Sequence, residues 1–255
     1  MTLSVAAEPA IAYLLASLRI VAWLTVVPPF SGRSIPAMAK VVLSIGLAMA
    51  VAPSVLRAGV PTGSAELLVV ALTQVAVGLA LGFVTSLILG AIAAAGSLVD
   101  VFGGFALAQG FDPLNMQMNT VFGKFHSLLA TVLLFVTGGH LIVIGGLLKT
   151  FEVLPLGESP EFRGAPDLLV TAFQMFWLTA VQIALPMIAV LFIADLGLAL
   201  LTKVAPQMNA LNVMFPVKIG LVLMLVGLSF PALPEATARL VEMVNEAAAA
   251  LVGGG

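Results

Sequence analysis

Apolar residues fill this chain in long runs, and the breaks between the runs are short. The first run extends from about Ala10 to Phe30, enough to cross a hydrocarbon core of roughly 30 Å at about 1.5 Å per residue. Pro28 and Pro29 end it, a brief SGRS link follows, and Pro36 suits the first turn of a second helix over Ala37 to Leu56. Arg57 to Glu66 is turn-rich. The third run, Leu67 to Val99, has no proline or charge and exceeds a simple crossing, which predicts tilt or protrusion. A fourth run covers Phe125 to Leu148, and a polar connector covers Lys149 to Asp167. The fifth run, Leu168 to Leu201, contains Pro186, which predicts a kink. A sixth spans Leu211 to Phe230, and Pro231 and Pro234 then lead into Glu235 to Leu251. There Leu240, Met243, Val244, Ala247 and Leu251 recur at helical spacing, predicting an amphipathic tail that lies on a partner or the membrane interface. The pattern predicts an all-α membrane protein of about six long helices.

The stretch from Phe102 to Lys124 departs from this pattern. It holds Gly103, Gly104 and Gly110 together with Pro113, a mixture that opposes continuous helix and predicts a long loop. Phe102, Phe105, Phe111, Met116 and Met118 lie in it, and bulky apolar groups on a loop need apolar cover. Two readings follow: a loop packed on its own bundle, or a plug in a conduit. Elsewhere, Gly78 and Gly82 form a small-xxx-small pair, a weak signal because such pairs are frequent in glycine-rich membrane helices.

Composition settles the solvent. Hydrophobic residues make up 61% of the 255, charged residues 9%, and mean hydropathy is +1.19, against about 25% charged in a soluble domain. A net charge of -2 and a pI near 5.6 leave no basic footprint for nucleic acid and no polybasic anchor. The absence of cysteine excludes disulfides and thiolate metal sites, and two histidines with scattered acids offer little for another metal. No Lys or Arg precedes the first apolar run, Arg19 falling inside it, which reads poorly as a signal peptide. Arg33, Lys40, Lys149, Arg163, Lys203 and Lys218 distribute over the connectors without clear bias, so the positive-inside rule leaves orientation open. Such balance suggests that the apolar segments are not all simple crossings.

Polar groups within apolar runs are costly and are functional candidates by default. Arg19, Gln74, Asp100, Gln174, Gln182 and Asp195 qualify. A proton-coupled transporter would use Asp195 as carrier. The plainer reading is mutual pairing, for example Arg19 with an aspartate, and the wide scatter of these groups favours it. His126 and His140 read as packing histidines. No serine stands at motif spacing from a base and an acid, and no phosphate-binding glycine loop ends in Lys-Ser or Lys-Thr. Neither an enzyme nor an ATP-driven motor is indicated, and no cofactor is expected.

Four blocks carry a resemblance. ADLGLALLTKVAPQMNALNVMFPVKIGLVL, from Ala194 to Leu223, resembles the most characteristic stretch of the FliR family of flagellar type III export proteins. Blocks at Ser17 to Lys40, Gly110 to Phe125 and Gly138 to Gly157 agree with that family in order, and the last looks more flagellar than like the virulence counterpart, SctT. The resemblance implies one export-gate domain over residues 1–255 in the bacterial inner membrane, at the flagellar basal body. It implies assembly with FliP and FliQ, association with FlhB, and proximity to FlhA and the cytoplasmic export machinery. The closed helical assembly would stand partly above the membrane plane and admit unfolded flagellar proteins for flagellum assembly.

The family's plug loop corresponds here to roughly Phe102 to Met118: Phe102, Gly103, Gly104, Phe105, Gly110, Phe111, Asp112, Pro113, Met116 and Met118. Aromatics on glycine joints can fill a channel and swing aside, and methionines reshape around a passing chain. Asp112 and Pro113 would set the turn, although Asp112 is equally readable as an ordinary loop acid. Pro206 breaks the fifth helix, and it reads, with Gln207, Asn209, Pro216 and Lys218, either as a subunit-contact or pore-facing bend or as a plain helix cap and loop. The competing classes are the virulence counterpart, an independent secondary transporter using Asp195, and a membrane scaffold without a conduit.

Overall fold

A computed structural model describes residues 2–32, 35–57, 63–105, 120–158, 160, 165–204 and 210–253. All regular elements among them are helical: α1 Thr2–Val26, α2 Ala37–Ala50, α3 Ala52–Arg57, α4 Ser64–Leu89, α5 Ala91–Gly103, α6 Val121–Val136, α7 Gly139–Val153, α8 Ala165–Val204, α9 Ala210–Ser229, a 3₁₀ turn Phe230–Ala232, and α10 Leu233–Gly253. Two compact units form. The first comprises Met1–Leu89, Gly138–Gln174 and Leu240–Gly255, and the second Gly90–Thr137 and Met175–Arg239.

Four stretches among the described residues are long and apolar enough to cross a membrane: Glu8–Val26, Ser64–Leu89, Pro166–Val204 and Met214–Gly253. The broken pair α6 and α7 makes a fifth at most, against the six runs expected. Each departure from the six-run pattern has a local cause. The second run divides at Val51 because Pro53, in the first turn of α3, has no N–H to offer the preceding helix. The fourth run divides at Gly138, whose φ of +75 is a left-handed conformation that glycine adopts without steric cost. The third run is parted at Gly90 but continues as helix beyond Asp100 to Gly103, where Gly104 at φ +84 ends it. Phe102 and Gly103, expected in a loop, are therefore helical. Assigned helix also runs through Pro186 in α8 and Pro216 in α9, so Pro216 does not mark a helix break.

In the first unit, α4 lies against α1, which also carries α2. The seam is set by the pair that looked weak in the sequence. A Cβ on Gly78 would fall 2.2 Å from the Arg19 backbone oxygen, and one on Gly82 would fall 3.3 Å from Trp23 Cα. No side chain fits between these backbones, and small residues are what permit such approach. Trp23 is buried in the seam, its Nε1 donating to Thr85 Oγ1 at 3.4 Å. The last helix also belongs here from Leu240 onward. Leu240, Val244, Ala247 and Leu251 are buried within the chain itself, which corrects the expectation of a tail laid on a partner or interface: its apolar stripe already has cover.

In the second unit, α5 packs against α6. Ala95, Val99 and Phe122 join Ala184, Met187, Leu191, Val222 and Val226 in one core. Gly96 and Gly123 allow the helices to meet: a Cβ on Gly96 would lie 2.3 Å from Phe122 O, and one on Gly123 would lie 2.4 Å from Ser97 Oγ.

The α1–α4 seam yields a test. Gly78→Ala must push two backbones apart and lose about 1–3 kcal/mol, the usual result of overpacking. Gly46→Ala, at a site with nothing within 4 Å, should be neutral or stabilising by up to about 1 kcal/mol. Thermal unfolding of both variants in detergent separates them, and equal midpoints would show that the seam tolerates a methyl group.

Candidate functional site

The buried polar residues singled out from the sequence fall into three clusters, one in the first unit and two in the second. Arg19, on α1, is completely buried. Its Nε donates to Gln74 Oε1 at 2.7 Å, Nη1 to the backbone oxygen and hydroxyl of Thr150 at 3.2 Å each, and Nη2 to Leu154 O at 2.9 Å. The guanidinium also lies 4.1 Å from the centre of the Phe151 ring. All these partners are neutral, which corrects the expected aspartate. Apart from Gln74, the acceptors sit at the C-terminal end of α7, where the helix dipole is negative; Thr150 O also accepts the Leu154 N–H at 2.9 Å. Gln74 extends the junction by donating from Nε2 to Leu156 O at 3.2 Å. One side chain thus joins α1, α4 and the end of α7.

Asp100, on α5, is also fully buried. Its Oδ2 accepts the backbone N–H groups of Phe122 at 2.8 Å and Gly123 at 3.0 Å. These are first-turn amides of α6 and have no carbonyl of their own helix to bind. Thr120, at the N-cap position, makes no capping bond with its side chain. Its hydroxyl stands 2.9 Å from that of Ser97 instead. His126 Nδ1 lies 2.8 Å from Phe122 O, and because a carbonyl only accepts, that nitrogen carries the proton.

The third cluster joins Lys218 of α9 to Asp195 of α8, Nζ to Oδ1 at 2.6 Å. Lys218 is buried while the Asp195 side chain is 38% exposed. Lys218 Nζ also donates to Phe102 O at 3.2 Å, in the last turn of α5. The same lysine stem passes 3.9 Å from where a Cβ on Gly104 would sit.

The proposed loop aromatics are placed only at their first members. Phe102 is exposed, and Gly103 and Gly104 are buried. Phe105 stands edge-on to Phe122 with ring centres 5.1 Å apart. Gly110, Phe111, Asp112, Pro113, Met116 and Met118 lie outside the described residues, as do Pro206, Gln207 and Asn209. Pro216 is exposed on α9, and Gln174 and Gln182 are exposed on α8. No group of three or more His, Cys, Asp or Glu able to hold a metal occurs among the described residues.

Thr150, Ser97, Thr120 and Gly96 were not singled out from the sequence. Ser97 and Asp100 are three residues apart on a helix, and that shared face was a usable signal. Thr150 had none, since its main contribution is a backbone oxygen.

Comparison with known proteins extends over nearly the whole chain. A family model described as bacterial export proteins, family 1, matches residues 10–244. The flagellar biosynthetic protein FliR of Escherichia coli (strain K12) is 31% identical over 84% of this chain and 82% of its own. FliR of Aquifex aeolicus (strain VF5) is 31% identical, covering 87% and 86%. The surface presentation of antigens protein SpaR of Salmonella typhimurium is 30% identical over 76% of this chain and 73% of its own. With a family model matching residues 10–244 and FliR relatives about 31% identical over more than four fifths of both chains, the chain belongs to the bacterial export proteins, family 1, together with the FliR proteins it resembles.

Proposed function

We propose that this chain is the FliR-type subunit of the flagellar type III protein export gate, in the bacterial inner membrane at the flagellar basal body. It is a membrane component of an export apparatus and not an enzyme. With FliP and FliQ, and with FlhB associated, it walls the entry path for unfolded flagellar proteins. The stretch from Phe102 to Met118 plugs that path until a substrate passes. The identity is similar to the FliR proteins and to the virulence protein SpaR. The flagellar assignment rests on the longer coverage by the FliR proteins.

The observation that supports the plug reading is the arrangement of Phe102 to Phe105. Lys218 grips the carbonyl of Phe102, Gly104 turns the chain at φ +84, and Phe105 meets Phe122. Phe102 is exposed there, and Phe105 packs against the core, while the helices keep much apolar surface uncovered. On α8 alone, Leu169, Val170, Phe173, Trp177, Leu178, Leu185 and Phe192 are exposed. Such faces require lipid or sister subunits. The Lys218–Asp195 ion pair supports the pairing reading of Asp195 over the carrier reading.

Deleting Gly104 to Gly110 should leave complex yield unchanged and make the membrane leak ions, in a manner that depends on co-expressed FliP and FliQ. Tight membranes around a fully assembled complex would remove the plug assignment. A second measurement addresses Asp195. Asp195→Asn strands a buried lysine and should weaken the complex by on the order of 1–2 kcal/mol, between an exposed and a buried pair. Replacing both partners, Asp195→Leu with Lys218→Met, should recover much of the lost motility, whereas a true proton carrier would leave the double variant inactive.

A further inference from the structure

We propose that the groove between the N-terminal halves of α1 and α4 is a lipid site, holding an acyl chain of a phospholipid whose headgroup ends in an ammonium group beside Glu8 and Glu66. This inference concerns the first unit alone and does not rest on the gate reading.

The two helices run parallel. Gly78 of α4 meets Arg19 of α1 and Gly82 meets Trp23, so four residues on in one helix are four on in the other. Eleven residues back from Arg19 and from Gly78, the same register brings Glu8 level with Leu67. Glu8 and Glu66 therefore stand at the same end of the pair. Both are exposed, and no ion pair to either occurs among the described residues.

The groove follows from where the small residues stop. Before Gly78, α4 contains no glycine, and large side chains replace the close seam. They leave a groove of about 290 Å³ lined by Ile11, Leu14 and Leu18 of α1 and by Leu67, Leu68 and Ala71 of α4. Ser17 also lines it but donates its hydroxyl to Leu14 O at 2.7 Å, so the walls present an apolar surface.

Size and charge together select the occupant. One turn of helix, about 10 Å wide and about 5.4 Å long, is more than this volume holds, whereas a flexible acyl chain fits it. Both walls belong to stretches long and apolar enough to cross a membrane. Glu8 opens the first of these stretches, and Glu66 lies in the first turn of the second, the depth at which hydrocarbon gives way to headgroups. The groove itself distinguishes little between one lipid and another, because tails are as apolar as the leucines around them. Selection therefore falls to the mouth, where two carboxylates favour a terminal ammonium over a headgroup whose outermost charge is its phosphate.

The full chain, released in mild detergent from membranes containing phosphatidylethanolamine and phosphatidylglycerol in equal amounts, should retain the former roughly fivefold more than the latter in native mass spectra, the difference expected of a surface charge contact. Glu8→Gln with Glu66→Gln should equalise the two lipids without releasing them. Ala71→Phe fills the groove and should release both. If that variant fails to fold, Leu14→Trp, at an exposed position, makes the same measurement. The chain has no cysteine, so a benzophenone probe attached at Leu14→Cys reports the occupant in membranes that also contain FliP and FliQ, and an adduct of lipid mass is expected. Equal retention of the two lipids by the unaltered chain overturns the inference, as does retention indifferent to a filled groove. A cross-link from Leu14→Cys to a protein neighbour also overturns it and makes the groove a subunit contact.

Discussion

A permanent positive charge with no acid beside it is the constraint around which the first unit is arranged. Arg19 is fully buried, and its hydrogen-bond partners among the described residues are all neutral. Such a charge is tolerable only where enough oriented dipoles surround it. The end of α7 supplies them: Thr150 O, Leu154 O and the Thr150 hydroxyl converge on one guanidinium, with Gln74 closing the remaining side. The need runs both ways. Helix ends in apolar surroundings have no water to satisfy their carbonyls; Thr150 O is met by the Leu154 amide as well as by the arginine, and Leu154 O by the arginine. The planar fork of Arg reaches several acceptors at once, and a lysine could not reproduce that geometry.

The second unit solves the opposite problem in the same manner. There the buried charge is a carboxylate, and the dipoles it meets are amides at the start of a helix rather than carbonyls at an end. In both units the charged side chain sits beside a glycine seam, Gly78 next to Arg19 O and Gly96 next to Phe122 O. Close backbone approach is what brings a side chain of one helix within reach of the terminal groups of another. The glycine and the charge are therefore parts of one device, since widening either seam by a methyl group would also stretch the hydrogen bonds behind it.

The long apolar helices were legible because their information lies in run length, and α8 follows its hydrophobic run closely. The breaks at Val51 and Gly138 were not, because neither interrupts the apolar pattern: Pro53 and Gly138 act through the backbone and leave hydropathy nearly unchanged. Arg19, Asp100 and Asp195 were visible as polar residues in apolar surroundings. Their partners were not visible, since a carbonyl 131 residues away or an amide across an interval has no side-chain signature. Of these three, Asp195 alone is paired with an opposite charge among the described residues, Lys218. The Gly78–Gly82 pair shows the limit from the other side: the motif was present, but only the 2.2 Å approach to Arg19 O distinguishes a working seam from a chance spacing.

The uncovered flank of α8 bears on the order in which a complex comes together. Only 17% of its most apolar window is buried within the chain, so in a bilayer acyl chains occupy the places that protein neighbours later take. Lipid is as apolar as the leucines it covers, and replacing it yields little hydrophobic driving force. Association on this face therefore depends on shape fit and on the freedom regained by released lipid. Bilayer composition and thickness become variables of assembly in their own right, and a purified subunit carried in detergent will report the hold of its surfactant as much as the fit of its neighbours.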